Sequence, residues 1–299
     1  MRAATLMALA AQAGVAVTAV PRFWPGMGLD AALGCFATTL RALQRPEAVA
    51  RVASEIAEDA VFEGVSTLEL RFAPQLHLAG IAVDDRAAAG AVAAVVDAAL
   101  EGLDGRAGLL LCVLYGDAPA LAEVLVDVAI ARPGVVGVDL AGGPSPQQRW
   151  RMTDYAAAFQ RARAAGVGVT VHAGEGRPPA EIAVAIETLG AQRIGHGTTL
   201  LRGTGPQDAR ILDLVRDAGV TIEACVTSNV HVGAIAAASD HDLPRWLDLG
   251  VRVAICTDNT LLSDVDAPTE HARVAAIPGM TAAHLAAAVA FGHAARFQR

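Results

Sequence analysis

Val167–Glu175 reads VGVTVHAGE, and this stretch decides the fold. Its first five residues set Val against Gly and Thr, the length and composition of a buried strand. His172 then breaks the apolar run, and Ala173, Gly174 and Glu175 form a turn. Upstream lies the helical pattern Pro146–Ala165, closed by Gly166; downstream lies Pro178–Leu189, closed by Gly190. Proline suits a first helical turn and glycine a helix end. A strand apolar along its whole length, between two helices, is a strand covered on both faces, as in a parallel sheet.

The same unit recurs outward in both directions. Further strand patterns lie at Val65–Pro74, Ala107–Gly116, Val135–Gly143, Arg193–Gly197, Gly219–Asn229 and Val251–Thr260. Helical patterns lie between and after them, at Glu47–Glu63, Asp85–Leu103, Ala118–Ala131, Pro206–Ala218, His241–Leu249, Val265–Ala276 and Thr281–Phe297. Strand starts about 26–42 residues apart suit successive βα units. No linker or low-complexity block divides the chain, so one domain over residues 1–299 is expected. The pattern is that of an α/β barrel of the (β/α)₈ TIM type with seven strands instead of eight. The missing strand is the first, because residues 1–14 read as a helix through Leu6, Leu9 and Ala13. A signal peptide fits that segment less well, since Gln12 interrupts it and Ala dilutes it.

Composition narrows the function. The 299 residues are 54% hydrophobic and 18% charged, with a mean hydropathy of +0.41, which excludes a disordered chain. The net charge of -8 argues against a nucleic-acid partner, which would require a basic face. All 23 basic residues are Arg. No run is long and apolar enough for a membrane span. Cys35, Cys112, Cys225 and Cys256 form no CxxC pair, and a reducing, cytoplasmic setting is expected.

Ionisable and polar residues collect at the C-terminal ends of the strands, the edge at which βα barrels build active sites. They are Glu69, Arg71, Asp139, His172, Glu175, His196, Glu223, Thr227, Ser228, Asn229, Asp258 and Asn259. His172 can offer an imidazole to a metal, and Gly174 lets Glu175 turn back over the same strand end. His196 sits between two glycines, so backbone and substrate can approach closely. Asp258 leaves an apolar strand and must be paired, metal-bound or shifted in pKa. Taken singly, each also fits a helix cap, a tight turn or a structural ion pair.

Taken in order, LELRFAP, GVDLAGG, VHAGEG, RIGHG, EACVTSN and CTDN resemble the adenosine deaminases of the metal-dependent amidohydrolase superfamily. The resemblance implies a zinc-dependent hydrolytic deaminase of a purine nucleoside, adenosine or deoxyadenosine, on a (β/α)₈ barrel. It implies His172 and Asp258 as zinc ligands, Glu175 as the acid that protonates purine N1, and His196 as the group that positions and deprotonates the water. Gly142 would contact the substrate through its backbone, and Asn259 would contact the base.

The chain departs from that family at three places. It contains no His-x-His, which the family carries at the end of its first strand to complete the zinc site. Asn259 stands where many relatives have a second Asp, and Gly143-Pro144 stands where acidic residues often follow. An amide can still donate to a purine N7. The lost ligands and the lost strand are one absence, expected to reflect either a start placed too late or a real loss. Two alternatives therefore stay open: a deaminase of another 6-aminopurine compound, and a metal-poor barrel that binds without turnover.

Overall fold

Seven apolar runs become seven parallel strands in the computed structural model, which describes residues 1–78, 88–143, 148–203 and 206–299. These residues group into two compact units. The first comprises Met1–Arg22, Asp30–Gly168 and Phe297–Arg299; the second comprises Phe23–Leu29 and Val169–Arg296.

In the first unit the elements run α1 (Ala3–Gln12), α2 (Leu29–Ala42), α3 (Pro46–Phe62), β1 (Glu69–Phe72), α4 (Ala89–Leu103), β2 (Gly108–Leu114), α5 (Pro119–Ile130), β3 (Val135–Ala141) and α6 (Ala156–Ala164). β2 pairs in parallel with β1 on one side and β3 on the other. Leu109, Leu110, Leu111 and Val113 of β2 and Val138 and Leu140 of β3 are buried, and α5 packs against both strands. Each such side chain contributes about 1.5–3 kcal/mol on burial. Asp139 is fully buried within this apolar strand, and the Arg71 guanidinium donates to it at 2.8 Å. Without that partner a carboxylate at this depth would be very costly.

In the second unit the order is β4 (Gly168–Ala173), α7 (Ala180–Leu189), β5 (Arg193–His196), α8 (Pro206–Asp217), β6 (Thr221–Ala224), α9 (Val226–His231), α10 (Leu243–Asp248), β7 (Arg252–Ile255), α11 (Thr260–Ser263), α12 (Ala267–Ala275) and α13 (Ala282–Ala294). β4, β5, β6 and β7 pair in parallel in chain order. Val169, Val171, Ile194, Ile222 and Val253 fill the interior with Ile182, Leu189 and Trp246. Arg193 and Glu223, on adjacent strands, form a buried ion pair at 2.8 Å. The polar residue at the exit of β6 is thus a structural partner.

Three expectations need correction. The Gly219–Asn229 run is strand only to Ala224; Val226 onward is the short helix α9. The helix expected from Pro146 begins at Ala156, after a 3₁₀ turn over Met152–Tyr155 that starts where Asp154 accepts from the Arg151 N–H at 2.7 Å. α2 was not marked among the helical patterns; Gly34 and the threonines at 38 and 39 weaken its signal. Asp85, Pro144 and Pro146 lie outside the described residues. Among the described residues, no helix is long and apolar enough to cross a membrane.

Candidate active site

Parallel register brings the first two candidates together. His172 on β4 pairs with Gly195 on β5, and Ala173 pairs with His196. The two imidazoles meet edge to face with centroids 4.9 Å apart. Gly195 makes room for this contact, because a Cβ there would lie 3.2 Å from Cγ and Nδ1 of His172. His196 is buried and adopts φ 69, a left-handed conformation uncommon for a residue with a Cβ.

The turn after β4 is tied to the turn after β5. The Gly174 carbonyl accepts from the Thr199 N–H at 3.0 Å and from the Thr198 hydroxyl at 2.9 Å, while the Thr199 hydroxyl donates to the Arg177 carbonyl at 2.6 Å. Thr198 Oγ1 in turn accepts from the Gly176 N–H at 3.0 Å. Gly174 has φ 70, and a Cβ would fall 2.8 Å from Ile182 Cδ1, so a larger residue here is strained in its backbone and must displace the Ile182 side chain. The closed turn brings Glu175 Oε1 to 3.3 Å from His196 Nδ1.

α9 supplies the remaining members. Asn229 is fully buried, and its Nδ2 lies 3.1 Å from Glu175 Oε1 and 3.0 Å from His196 Nδ1. The neighbouring Ser228 hydroxyl donates to Asp258 Oδ2 at 2.7 Å. Asp258 also has a left-handed backbone, φ 55. The helix is anchored by Glu270 of α12, which accepts from the Thr227 N–H at 3.0 Å and from the Thr227 hydroxyl. Burial pushes the Glu270 carboxyl above its usual range, against the opposing hydrogen bonds from Thr227 and the charge of Arg273. Arg273 donates to the same hydroxyl at 2.7 Å. The Cys225 thiol is pushed up by its hydrogen bond with Cys256, by burial and by the charge of Asp258, so it stays a neutral part of the wall.

Four of the six predicted site residues thus join one network: His172, Glu175, His196 and, through Ser228 and α9, Asp258. Asn259 stands half-buried before the first turn of α11, and no described hydrogen bond ties its side chain to the others. Gly142 belongs to the first unit, where it leaves β3 with φ 76. Asn229, Ser228, Thr198 and Thr199 were not assigned site roles from sequence. Only the strand-end position of Ser228 and Asn229 was a signal for them.

The donor set does not fit zinc as it stands. Among the described residues, no three His, Cys, Asp or Glu side chains converge to hold a metal ion. His172 and Asp258 make two donors, whereas catalytic zinc ordinarily has three protein ligands.

Residues 2–296 match the adenosine deaminase family model. The chain belongs to the adenosine deaminase family. It is 33% identical over 254 residues to a probable adenosine deaminase of Dictyostelium discoideum, covering 82% of this chain and 31% of that protein. It is 34% identical over 258 residues to an adenosine deaminase of Mycolicibacterium vanbaalenii, covering 80% of this chain and 68% of that one. It thus spans about a third of the first relative's length and about two thirds of the second's.

Solved structures of this family's fold superpose over the whole chain. Adenine deaminase from Arthrobacter aurescens gives a TM-score of 0.83 at 20% identity, over 100% of this chain and 90% of that one. The Arabidopsis N6-mAMP deaminase gives 0.82 at 22% identity with the same coverage. An amidohydrolase from Burkholderia ambifaria solved with bound Zn gives 0.81 at 21%, over 100% of this chain and 83% of that one. The fold is therefore that of a (β/α)₈ deaminase barrel, carried here by seven strands among the described residues.

Proposed function

We propose that this chain is a hydrolytic deaminase of 6-aminopurine compounds. The observation that carries the reading is the convergence of Glu175, His196 and Asn229 beside His172, next to a helix that also holds Asp258. An aromatic amine is a poor leaving group, and its carbon is a poor electrophile. Glu175 delivers a proton to purine N1, which makes C6 electrophilic. His196 and Asp258 hold the water that adds at C6. One proton of that water moves to the amino nitrogen, and ammonia leaves as the C6 hydroxyl becomes a carbonyl and gives its remaining proton back to Glu175. Proton transfer by a positioned group is worth about 10²–10⁴ in rate. Asn259 donates to the base.

Adenosine and deoxyadenosine are the first substrates to try, because the curated relatives are adenosine deaminases. The relatives of similar fold are an adenine deaminase and an N6-mAMP deaminase, which supports the wider 6-aminopurine class. Zinc use is supported by the relative solved with Zn, and no step in the reading above runs through a metal. The match over residues 2–296 supports one functional domain over residues 1–299. Four free cysteines support a cytoplasmic setting.

A second reading, a barrel that binds a 6-aminopurine without turnover, is favoured by that two-donor set. One preparation separates the two. Metal analysis, ammonia release and calorimetric binding are measured with adenosine, deoxyadenosine, adenine and 6-aminopurine nucleotides. Ammonia release that follows the purified chain supports the deaminase. Saturable binding with no ammonia, and zinc well under one per chain, supports the binding protein. Neither binding nor ammonia across the panel sinks both.

A further inference from the structure

Glu175 stands between Gly174 and Gly176, which both adopt the left-handed conformation, with φ 70 and φ 63. A glycine on either side gives a turn the widest choice of backbone angles. Among the described residues, no hydrogen bond holds the N–H or the carbonyl of Glu175 itself. A carboxylate on so permissive a turn has no aim of its own. Yet Oε1 lies 3.1 Å from Asn229 Nδ2 and 3.3 Å from His196 Nδ1. The restraint comes from the neighbouring strand end.

That restraint is the Thr198 hydroxyl. Thr198 is buried, and its Oγ1 lies 2.9 Å from the Gly174 carbonyl oxygen and 3.0 Å from the Gly176 nitrogen. The partners fix the direction of each bond, because a carbonyl only accepts and a backbone N–H only donates. The hydroxyl therefore donates to Gly174 and accepts from Gly176. The first bond holds the peptide plane before the Glu175 Cα, and the second holds the plane after it. Since peptide planes are rigid, the two together set φ and ψ of Glu175 and hence the direction of its side chain. The Gly174 carbonyl has a second donor in the Thr199 N–H at 3.0 Å. The Gly176 N–H has Thr198 alone among the described residues, so ψ depends most on the hydroxyl.

The chain is bent to bring this group into place. His196 and Gly197, with φ 69 and φ 60, turn out of β5, and the Gly197 N–H donates to the Ala173 carbonyl at 3.1 Å. We propose that Thr198 is a positioning residue whose hydroxyl locks the backbone of Glu175 and so aims its carboxyl at the substrate. The role rests on the deaminase reading, in which Glu175 gives a proton to purine N1. Thr198 acts through Glu175 and transfers no proton itself.

Two substitutions separate the hydroxyl from the bulk of the side chain. Thr198→Val keeps the shape and loses both hydrogen bonds; Thr198→Ser keeps both bonds and loses a methyl. With the best 6-aminopurine substrate, well below the unfolding midpoint, Thr198→Val is expected to lower kcat by about 10²-fold, the scale of a small misplacement at a reacting centre. KM should change only a few-fold, and Thr198→Ser should stay within a few-fold of the wild type in both. A kcat for Thr198→Val near that of the wild type overturns the proposal. So does a loss in Thr198→Ser as large as in Thr198→Val, which would make the methyl contact the cause. An effect confined to KM would make Thr198 a substrate contact and overturn the positioning role.

Hydrogen exchange, read by mass spectrometry on the peptide that carries Gly176, is the arm that needs no turnover. Exchange of the Gly176 amide is expected to quicken about tenfold in Thr198→Val, the scale of one hydrogen bond, and to stay slow in Thr198→Ser. Equal exchange in all three proteins overturns the proposal. A wild-type chain that releases no ammonia sinks the deaminase reading, and the exchange data still decide whether the hydroxyl pins the turn. If Thr198→Val does not fold, Thr198→Ala removes the hydroxyl without adding bulk and carries both arms against Thr198→Ser.

Discussion

Gly195 and Glu175 show how much single atoms decide in this site. The Gly195→Ala methyl would sit 3.2 Å from the His172 ring, which must then shift against His196. Overpacking of this kind costs about 1–3 kcal/mol. The expected outcome is a modest fall in unfolding midpoint and a fall in turnover of about 10²-fold, since small misplacements are felt that strongly at a reacting centre. Turnover at the wild-type level, with the thermal midpoint lowered, would mean that the His172–His196 contact is structural only. Glu175→Gln keeps the shape and the acceptor for Asn229 and loses the proton. It should lower kcat by about 10²–10⁴ while leaving the unfolding midpoint unchanged. Kinetics and a melting curve on the same preparation check both halves. Glu175 was legible in the sequence because a carboxyl follows His172 through a glycine turn. Asn229 was not, because its two partners lie 54 and 33 residues away along the chain.

At the scale of the element, α9 is the part that sequence patterning misread. EACVTSN is rich in residues that favour strands, and periodicity over so few positions cannot tell a strand end from one helical turn. The helix exists because Glu270, 43 residues further on, accepts both the N–H and the hydroxyl of Thr227. Glu270→Gln puts an NH₂ where one of those donors now ends, at a cost of about 1–3 kcal/mol for the group left unsatisfied. Ser228 and Asn229 ride on the same turn, so the variant is expected to lose activity as well as stability. A urea titration and a rate measurement test this. Lost stability with an unchanged rate would show that α9 keeps its aim without Glu270.

For the whole molecule, acid stability has a nameable source in His241. This side chain is buried beside Trp246, and its Nδ1 accepts from the Leu243 N–H at 3.0 Å. Burial, then the charges of Arg202 and His196, lower its pKa from 6.5 to about 4. The unfolded chain therefore binds a proton across a window in which the folded chain does not. Stability is full above the upper value and is lost as pH falls through the window towards the lower one, by about 3 kcal/mol in all. Urea midpoints measured on either side of the window should drop more for the wild type than for His241→Asn. Equal drops in the two proteins would place the acid sensitivity elsewhere.

What the sequence determined by itself is the repeating unit and where its chemistry lies. Apolar runs such as VGVTV can be satisfied only when covered on both faces, so strands, helices and the polar strand ends followed from local pattern and turn chemistry. His172, Glu175, His196 and Asp258 were visible for the same reason, as polar groups at the ends of strands that had no other use for them. Tertiary structure alone decided which of them meet. Register sets His172 against Gly195, the threonines after β5 hold the Glu175 turn, and Glu270 turns a strand-like run into the helix that presents Asn229. Those contacts join residues far apart in the chain, and a hydrogen bond depends on tenths of an ångström that no local pattern encodes.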